Sequence, residues 1–213
     1  MSIDLASIEG IFKNRRANLL GHEQMRIASV LLPLLEKDGQ THVLFQVRGK
    51  RLRTQPGEIC FPGGGVERQD KNEAETAIRE TCEELGLEKQ HIKMVAPLDL
   101  YVTPFHAIIY PYVGVILQPE AICPDDFEVE EVFTVPLDYL LNYKPKQHPV
   151  HLQVKPDDSF PYHLIPRGKY YKWRTGQVPE YFYFYDKYVI WGLTARILTN
   201  FLTVIKGQEL TIK

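Results

Sequence analysis

The stretch Asn72-Glu-Ala-Glu-Thr-Ala-Ile-Arg79-Glu80-Thr-Cys-Glu83-Glu84-Leu-Gly86-Leu87 combines the signals of a buried helix with a concentration of negative charge. Asn72 and Glu75 have the spacing of an N-cap and its returning acid, so a helix is predicted to begin near residue 73. Ala74, Ala77, Ile78, Thr81, Cys82 and Leu85 recur at three- and four-residue steps and make one stripe able to pack on a sheet. Gly86 suits the left-handed residue that ends a helix. At about 100° per residue, Glu73, Glu80, Glu83 and Glu84 gather on a different face. Like charges three and four residues apart repel, and Arg79 is the one cation in the same turn to offset them. Carboxylates converging from a rigid helix suit a hard divalent ion, Mg²⁺ in particular. A solvated acidic face is the plainer alternative.

Just upstream lies Phe61-Pro-Gly-Gly-Gly65, where consecutive glycines let the backbone approach a ligand closely. Loop and helix together resemble the Nudix box, G-x5-E-x7-R-E-U-x-E-E-x-G-U, whose second half is nearly complete in Arg79-Glu80-Thr81-Cys82-Glu83-Glu84-Leu85-Gly86-Leu87. Thr81 stands where an aliphatic residue is usual. Lys71 stands where the first Glu is expected, a departure that a one-residue insertion explains if Asp70 takes the first acidic role. Further upstream, Leu44, Arg48, Arg53, Gly57 and Phe61 to Gly64 match in register the signature L-L-T-x-R-S-x3-R-x3-G-x3-F-P-G-G of the coenzyme A pyrophosphatase branch of Nudix hydrolases, while Phe45, Gln46 and Gly49 depart from it.

The resemblance implies an α/β/α sandwich around a mixed sheet and hydrolysis of a nucleoside diphosphate linked to another group. It implies that Glu80, Glu83 and Glu84 hold Mg²⁺ or Mn²⁺, that a carbonyl of Gly63 or Gly64 adds a ligand, and that Arg79 orients Glu83. A carboxylate must collect the proton of the attacking water, and Glu80 is the first candidate, with Glu128, Glu130 and Glu131 as alternatives from an acidic loop whose plainer reading is solvated charge. The implied substrate is coenzyme A, cleaved to adenosine 3′,5′-bisphosphate and 4′-phosphopantetheine. Arg48, Lys50, Arg51 and Arg53 put four cations in six residues before the glycine loop, and arginine suits bidentate phosphate contacts. Arg48 and Arg53, which match the signature, are the substrate-binding candidates. Other nucleoside diphosphate derivatives (ADP-ribose, NADH, dinucleotide polyphosphates) and a non-catalytic nucleotide sensor remain as alternatives.

The rest of the chain is consistent with one α+β domain over residues 1–213, with an N-terminal helix and an aromatic-rich C-terminal extension. A helix is expected over Ile3–Asn14, a hairpin from Ala28–Leu35 and Thr41–Val47, and a loop over Gly57–Gly65. Strands are expected at Ile92–Leu100 and Ala107–Leu117, an acidic loop at Asp125–Glu131, a short helix at Pro136–Leu141, a β-rich extension from Val150 to Asp186, and a core-facing helix over Val189–Ile205. Tyr181 to Tyr185 reads as buried sheet or dimer interface before it reads as a stacking platform, so a homodimer is left open. His148 and His151, separated by Pro149, read as a loop pair. Cys60 and Cys82 read as apolar filler.

Composition narrows the partners. With 213 residues, 25 Lys and Arg, 27 Asp and Glu and a net charge of −2, no positive surplus favours nucleic acid or an anionic membrane. Three cysteines form no C-x-x-C pair, which fits a reducing compartment. Neither the start Met1-Ser-Ile-Asp-Leu nor the end Thr211-Ile-Lys carries a familiar address, and the expected location is the cytoplasm.

Overall fold

The computed structural model describes residues 4–207; Ile3, with the other residues of both chain ends, lies outside them. Asp4 accepts a hydrogen bond from Ser7 N–H and caps α1 (Leu5–Phe12). The expected stripe Ile8, Ile11 and Phe12 is present but exposed. β1 (Arg26–Lys37) and β2 (Gln40–Arg48) then form the expected hairpin, with Leu34 opposite Val43 and Lys37 opposite Gln40. Asp38 and Gly39 turn the corner with φ of 53° and 72°, the pair of positive values that matches the strands' twist.

The glycine segment is not the plain loop expected. It contains β3 (Ile59–Cys60), paired with β2, and β4 (Gly63–Gly65), paired with β1, because the backbone finds ladder partners where β1 and β2 diverge. α2 (Glu73–Leu85) follows with the predicted caps: Asn72 accepts from Glu75 N–H, and Gly86 adopts φ 64°. β5 (Ile92–Pro97), β6 (Tyr101–Thr103) and β7 (Ala107–Ile116) come next; β7 runs parallel to β1 from Arg26↔Ala107 to Leu34↔Val115. β8 (Val129–Pro136) lies antiparallel along β2, so Glu130 and Glu131 stand on a strand rather than in the acidic loop. The short helix is α3 (Leu137–Asn142).

These eight strands form one mixed sheet. Alternation along the strands sends Leu31, Leu35, Leu44 and Ile116 to one face, where Ala77 and Leu85 of α2 close the core. Leu32, Val43, Phe45, Phe133 and Val135 go to the other face, against Ile197, Leu198 and Phe201 of the last helix. The result is an α+β fold, a helix layer on each side of a mixed sheet.

The C-terminal extension forms a second, three-stranded sheet from β9 (Lys146–Gln153), β10 (Thr175–Tyr185) and β11 (Tyr188–Ile190). His148 and His151 therefore sit on β9 and not in a loop. Ile190 pairs with Tyr183 in a return strand, so α4 (Gly192–Ile205) starts later than the periodicity suggested. Tyr183 is buried within the aromatic run, while Phe184 is exposed. Among the described residues no helix is long and apolar enough to cross a membrane.

Candidate active site

The middle of α2, the segment before it and the glycine strand are tied together by one guanidinium. Arg79 Nε and Nη2 donate to the two oxygens of Asp70 at 3.0 and 3.1 Å, its Nη1 meets Glu83 at 3.0 Å and Glu80 at 2.8 Å, and Nη2 also reaches the carbonyl of Gly65. The Asp70 carboxylate is itself 4% exposed and accepts from Glu67 N–H and the Thr76 hydroxyl. The Arg79 guanidinium and these donors hold the Asp70 carboxyl well below the usual carboxylate range. Asp70, and not the exposed Lys71, is thus the acid that meets Arg79, in agreement with the one-residue insertion.

The predicted carboxylates divide into three environments. Glu83 is exposed and held by Arg79. Glu80 is half-buried beside Gly64, whose missing Cβ makes room for the carboxylate: a methyl group there would collide with it. Burial pushes the Glu80 carboxyl up, Arg79 opposes this, and the nearby charges of Glu83 and Glu128 add to it. Glu84 departs from the helical-wheel expectation. It is only 4% exposed and points inward, where its Oε2 accepts from Gln46 Nε2 at 2.9 Å and from Gly63 N–H at 3.0 Å. Burial raises its pKa to about 7 despite those two donors.

As the side chains stand, no group of three His, Cys, Asp or Glu among the described residues is placed to hold a metal ion. The donor set nevertheless fits one. Glu80 and Glu84 are crowded carboxylates whose charge the protein leaves partly uncompensated, and hard oxygens of this kind match Mg²⁺ or Mn²⁺.

Of the three acids after the glycine loop, Glu130 pairs with Lys50 at 2.7 Å, and Glu131 is held by Lys187 and the Tyr188 hydroxyl. Glu128 is exposed, lies within electrostatic reach of Glu80, and has no side-chain hydrogen bond or ion pair among the described residues. The cations divide too. Lys50 is used by Glu130, and Arg51 lies over the Phe127 ring. Arg53 is exposed. Arg48 donates to Thr54 O at 3.4 Å and lines a cavity of about 360 Å³ between β3, the β9–β10 hairpin and the start of α4. Ile59, Cys60, Leu152, Val178 and Trp191 are among its walls. Burial pushes the Cys60 thiol up to about 11, in keeping with filler and not a nucleophile.

Residues 25–157 match the NUDIX domain family model. The chain belongs to the NUDIX family. This NUDIX chain is 42% identical over 114 residues to the peroxisomal coenzyme A diphosphatase NUDT7 of Mus musculus, covering 54% of the chain and 48% of that protein. It is 32% identical over 185 residues to the chloroplastic Nudix hydrolase 22 of Arabidopsis thaliana (84% and 55% covered). To the mitochondrial coenzyme A diphosphatase NUDT8 of Homo sapiens it is 34% identical over 145 residues (65% and 61%). The chain spans about half the length of the first two of these relatives.

Two residues that hold the candidate site together are not conspicuous in the sequence. Thr76 supports Asp70 from the helix, a contact hinted at only by its position one turn before Arg79 and Glu80. Gln46 supports Glu84 from β2, and its one sequence signal is that it departs from the signature's Thr.

Proposed function

We propose that this NUDIX chain hydrolyses the diphosphate of coenzyme A or its derivatives with Mg²⁺ or Mn²⁺, giving adenosine 3′,5′-bisphosphate and 4′-phosphopantetheine or its acyl form. The observation that carries this reading is the position of Arg48. It stands on β2 two residues after Gln46, the partner of Glu84, and it borders a mostly apolar cavity. A cation within electrostatic reach of the buried Glu84 therefore borders a chamber able to take an uncharged part of the substrate. That combination suits a substrate with charge at its diphosphate and apolar groups beyond it. Similarity to two relatives named coenzyme A diphosphatases supports the same substrate.

Water attacks one phosphorus, the bond from that phosphorus to the bridging oxygen breaks, and the other phosphate leaves with that oxygen. Glu80, Glu83, Glu84 and a carbonyl of Gly63 or Gly64 would hold the ion, which when bound neutralises the diphosphate oxygens and makes water easier to deprotonate. Arg79 keeps Glu80 and Glu83 together and ties them to Asp70. Arg48 and Arg53 orient the phosphates. We assign the water's proton to Glu128, because Glu80 is already engaged by Arg79 whereas the Glu128 carboxylate has no such partner among the described residues. The three free cysteines support a reducing compartment such as the cytoplasm.

The test is to incubate the protein with coenzyme A, ADP-ribose and NADH in Mg²⁺, Mn²⁺ or EDTA and to identify products by mass. Coenzyme A cleavage that EDTA abolishes is the expected result. Fast cleavage of another substrate with none of coenzyme A overturns the substrate assignment, and no turnover at all favours a nucleotide sensor.

A further inference from the structure

Three buried side-chain atoms among the described residues lack a hydrogen-bond partner: Gln46 Oε1, Glu180 Oε2 and Asn200 Oδ1. Only the first belongs to a residue that touches one of the candidate metal-binding carboxylates. Gln46 is fully buried on β2, where Cys60 of β3 and Val132 of β8 flank it in the ladder. Its Nε2 donates to Glu84 Oε2 and lies 3.6 Å from Cys60 Sγ. Gly63 N–H, from the glycine strand, donates to the same Glu84 oxygen. Two donors from different directions on one oxygen fix the rotation of the carboxylate. Glu84 Oε1 is left without a hydrogen bond among the described residues.

This is a poor arrangement for stability alone. A buried amide that satisfies its nitrogen and strands its oxygen carries the desolvation cost of that oxygen against the gain of one donor to Glu84. The matching Thr of the signature is too short to span from β2 to Glu84 in this way, so the contact is a property of this chain's own Gln46. We infer that Gln46 is a positioning residue, holding Glu84 so that one carboxylate oxygen is kept for the divalent ion and the other is spent on the protein. The inference rests on Glu84 being a metal ligand, as set out under the proposed function.

The experiment titrates Mn²⁺ into the full chain, following free Mn²⁺ by electron paramagnetic resonance, and records melting in EDTA. It compares Gln46→Met, Gln46→Thr and Glu84→Gln with the unaltered protein. Gln46→Met is expected to weaken Mn²⁺ binding by about 10–100-fold, the usual effect of losing a group that orients a ligand, and to lower kcat at saturating Mn²⁺ while KM stays within about twofold. Its melting temperature in EDTA combines two opposed changes, removal of the orphan oxygen and loss of a donor to the buried Glu84, so Mn²⁺ affinity decides. A purely structural residue leaves Mn²⁺ affinity unaltered whatever happens to the melting temperature. Gln46→Thr is expected to show the same loss of affinity. Mn²⁺ binding by Gln46→Met within twofold of the unaltered protein, when Glu84→Gln has lost it, overturns the role of Gln46 alone. Unaltered binding by Glu84→Gln overturns the metal-ligand reading beneath it. If Gln46→Met fails to fold, Gln46→Thr decides by the same comparison.

Discussion

Replacing Glu84 by Gln in the metal-free protein is expected to stabilise it at pH 7.5 and to leave it nearly unchanged at pH 5. The Glu84 carboxyl lies near its ordinary pKa of 4.5 in the unfolded chain and is raised to about 7 by burial in the fold. Between these values the folded state binds the proton more tightly than the unfolded state, so stability is fullest below pH 4.5 and is lost as pH rises through 7. The difference corresponds to about 3 kcal/mol as an upper bound. For a domain of this size that translates into a shift in Tm of roughly 5–10 °C. Gln removes the ionisation and, with its amide oxygen in the place of Glu84 Oε2, keeps the acceptor for both Gly63 N–H and Gln46 Nε2. The assay is thermal melting in EDTA from pH 5 to 8, with the difference between the two proteins as the readout, so that titrations common to both cancel. Curves that stay parallel across this range would show that Glu84 is not a strained buried carboxylate, and the argument from burial would fail.

Three further outcomes follow from the geometry. Asp70→Ala is expected to lower turnover by at least tenfold and to lower Tm, because Arg79 loses its bidentate partner, whereas Lys71→Ala is expected to stay within twofold; steady-state rates and melting curves check both. Gly64→Ala, whose Cβ would collide with the Glu80 carboxylate, is expected to reduce kcat strongly, while Gly65→Ala, with open space at its Cβ, is expected to cost little; the same rate assay decides. Glu128→Gln is expected to lower kcat by about 10²-fold or more, while Glu130→Gln, which loses only its exposed pair with Lys50, is expected to stay within about twofold in the same rate assay.

Local signals in the chain were enough for α2 and the hairpin of β1 and β2. Asn72, the three- and four-residue stripe and Gly86 act within a few residues of one another, and so do Asp38 and Gly39 between two apolar runs. Elements that depend on a distant partner were harder to read. β3 and β4 are two and three residues long and exist because β2 and β1 offer ladder bonds, which no local preference of Pro or Gly reveals. The start of β8 within the acidic segment and the separation of Ile190 from α4 have the same cause.

The sequence by itself determined the acidic helix, the position of a glycine-rich segment before it, and the set Arg79, Glu80, Glu83 and Glu84, since spacing along one helix is a property of the chain. Tertiary structure alone decided what each of those charges does. It brought Asp70 and not Lys71 to Arg79, turned Glu84 into the core against Gln46, spent Glu130 and Glu131 on Lys50 and Lys187, and left Glu128 without a side-chain partner among the described residues. The physical reason is that a carboxylate's behaviour is set by burial and by the donors around it. Those donors come here from β2, β4 and β11 as well as from α2, segments far apart in the chain that only the sheet brings together.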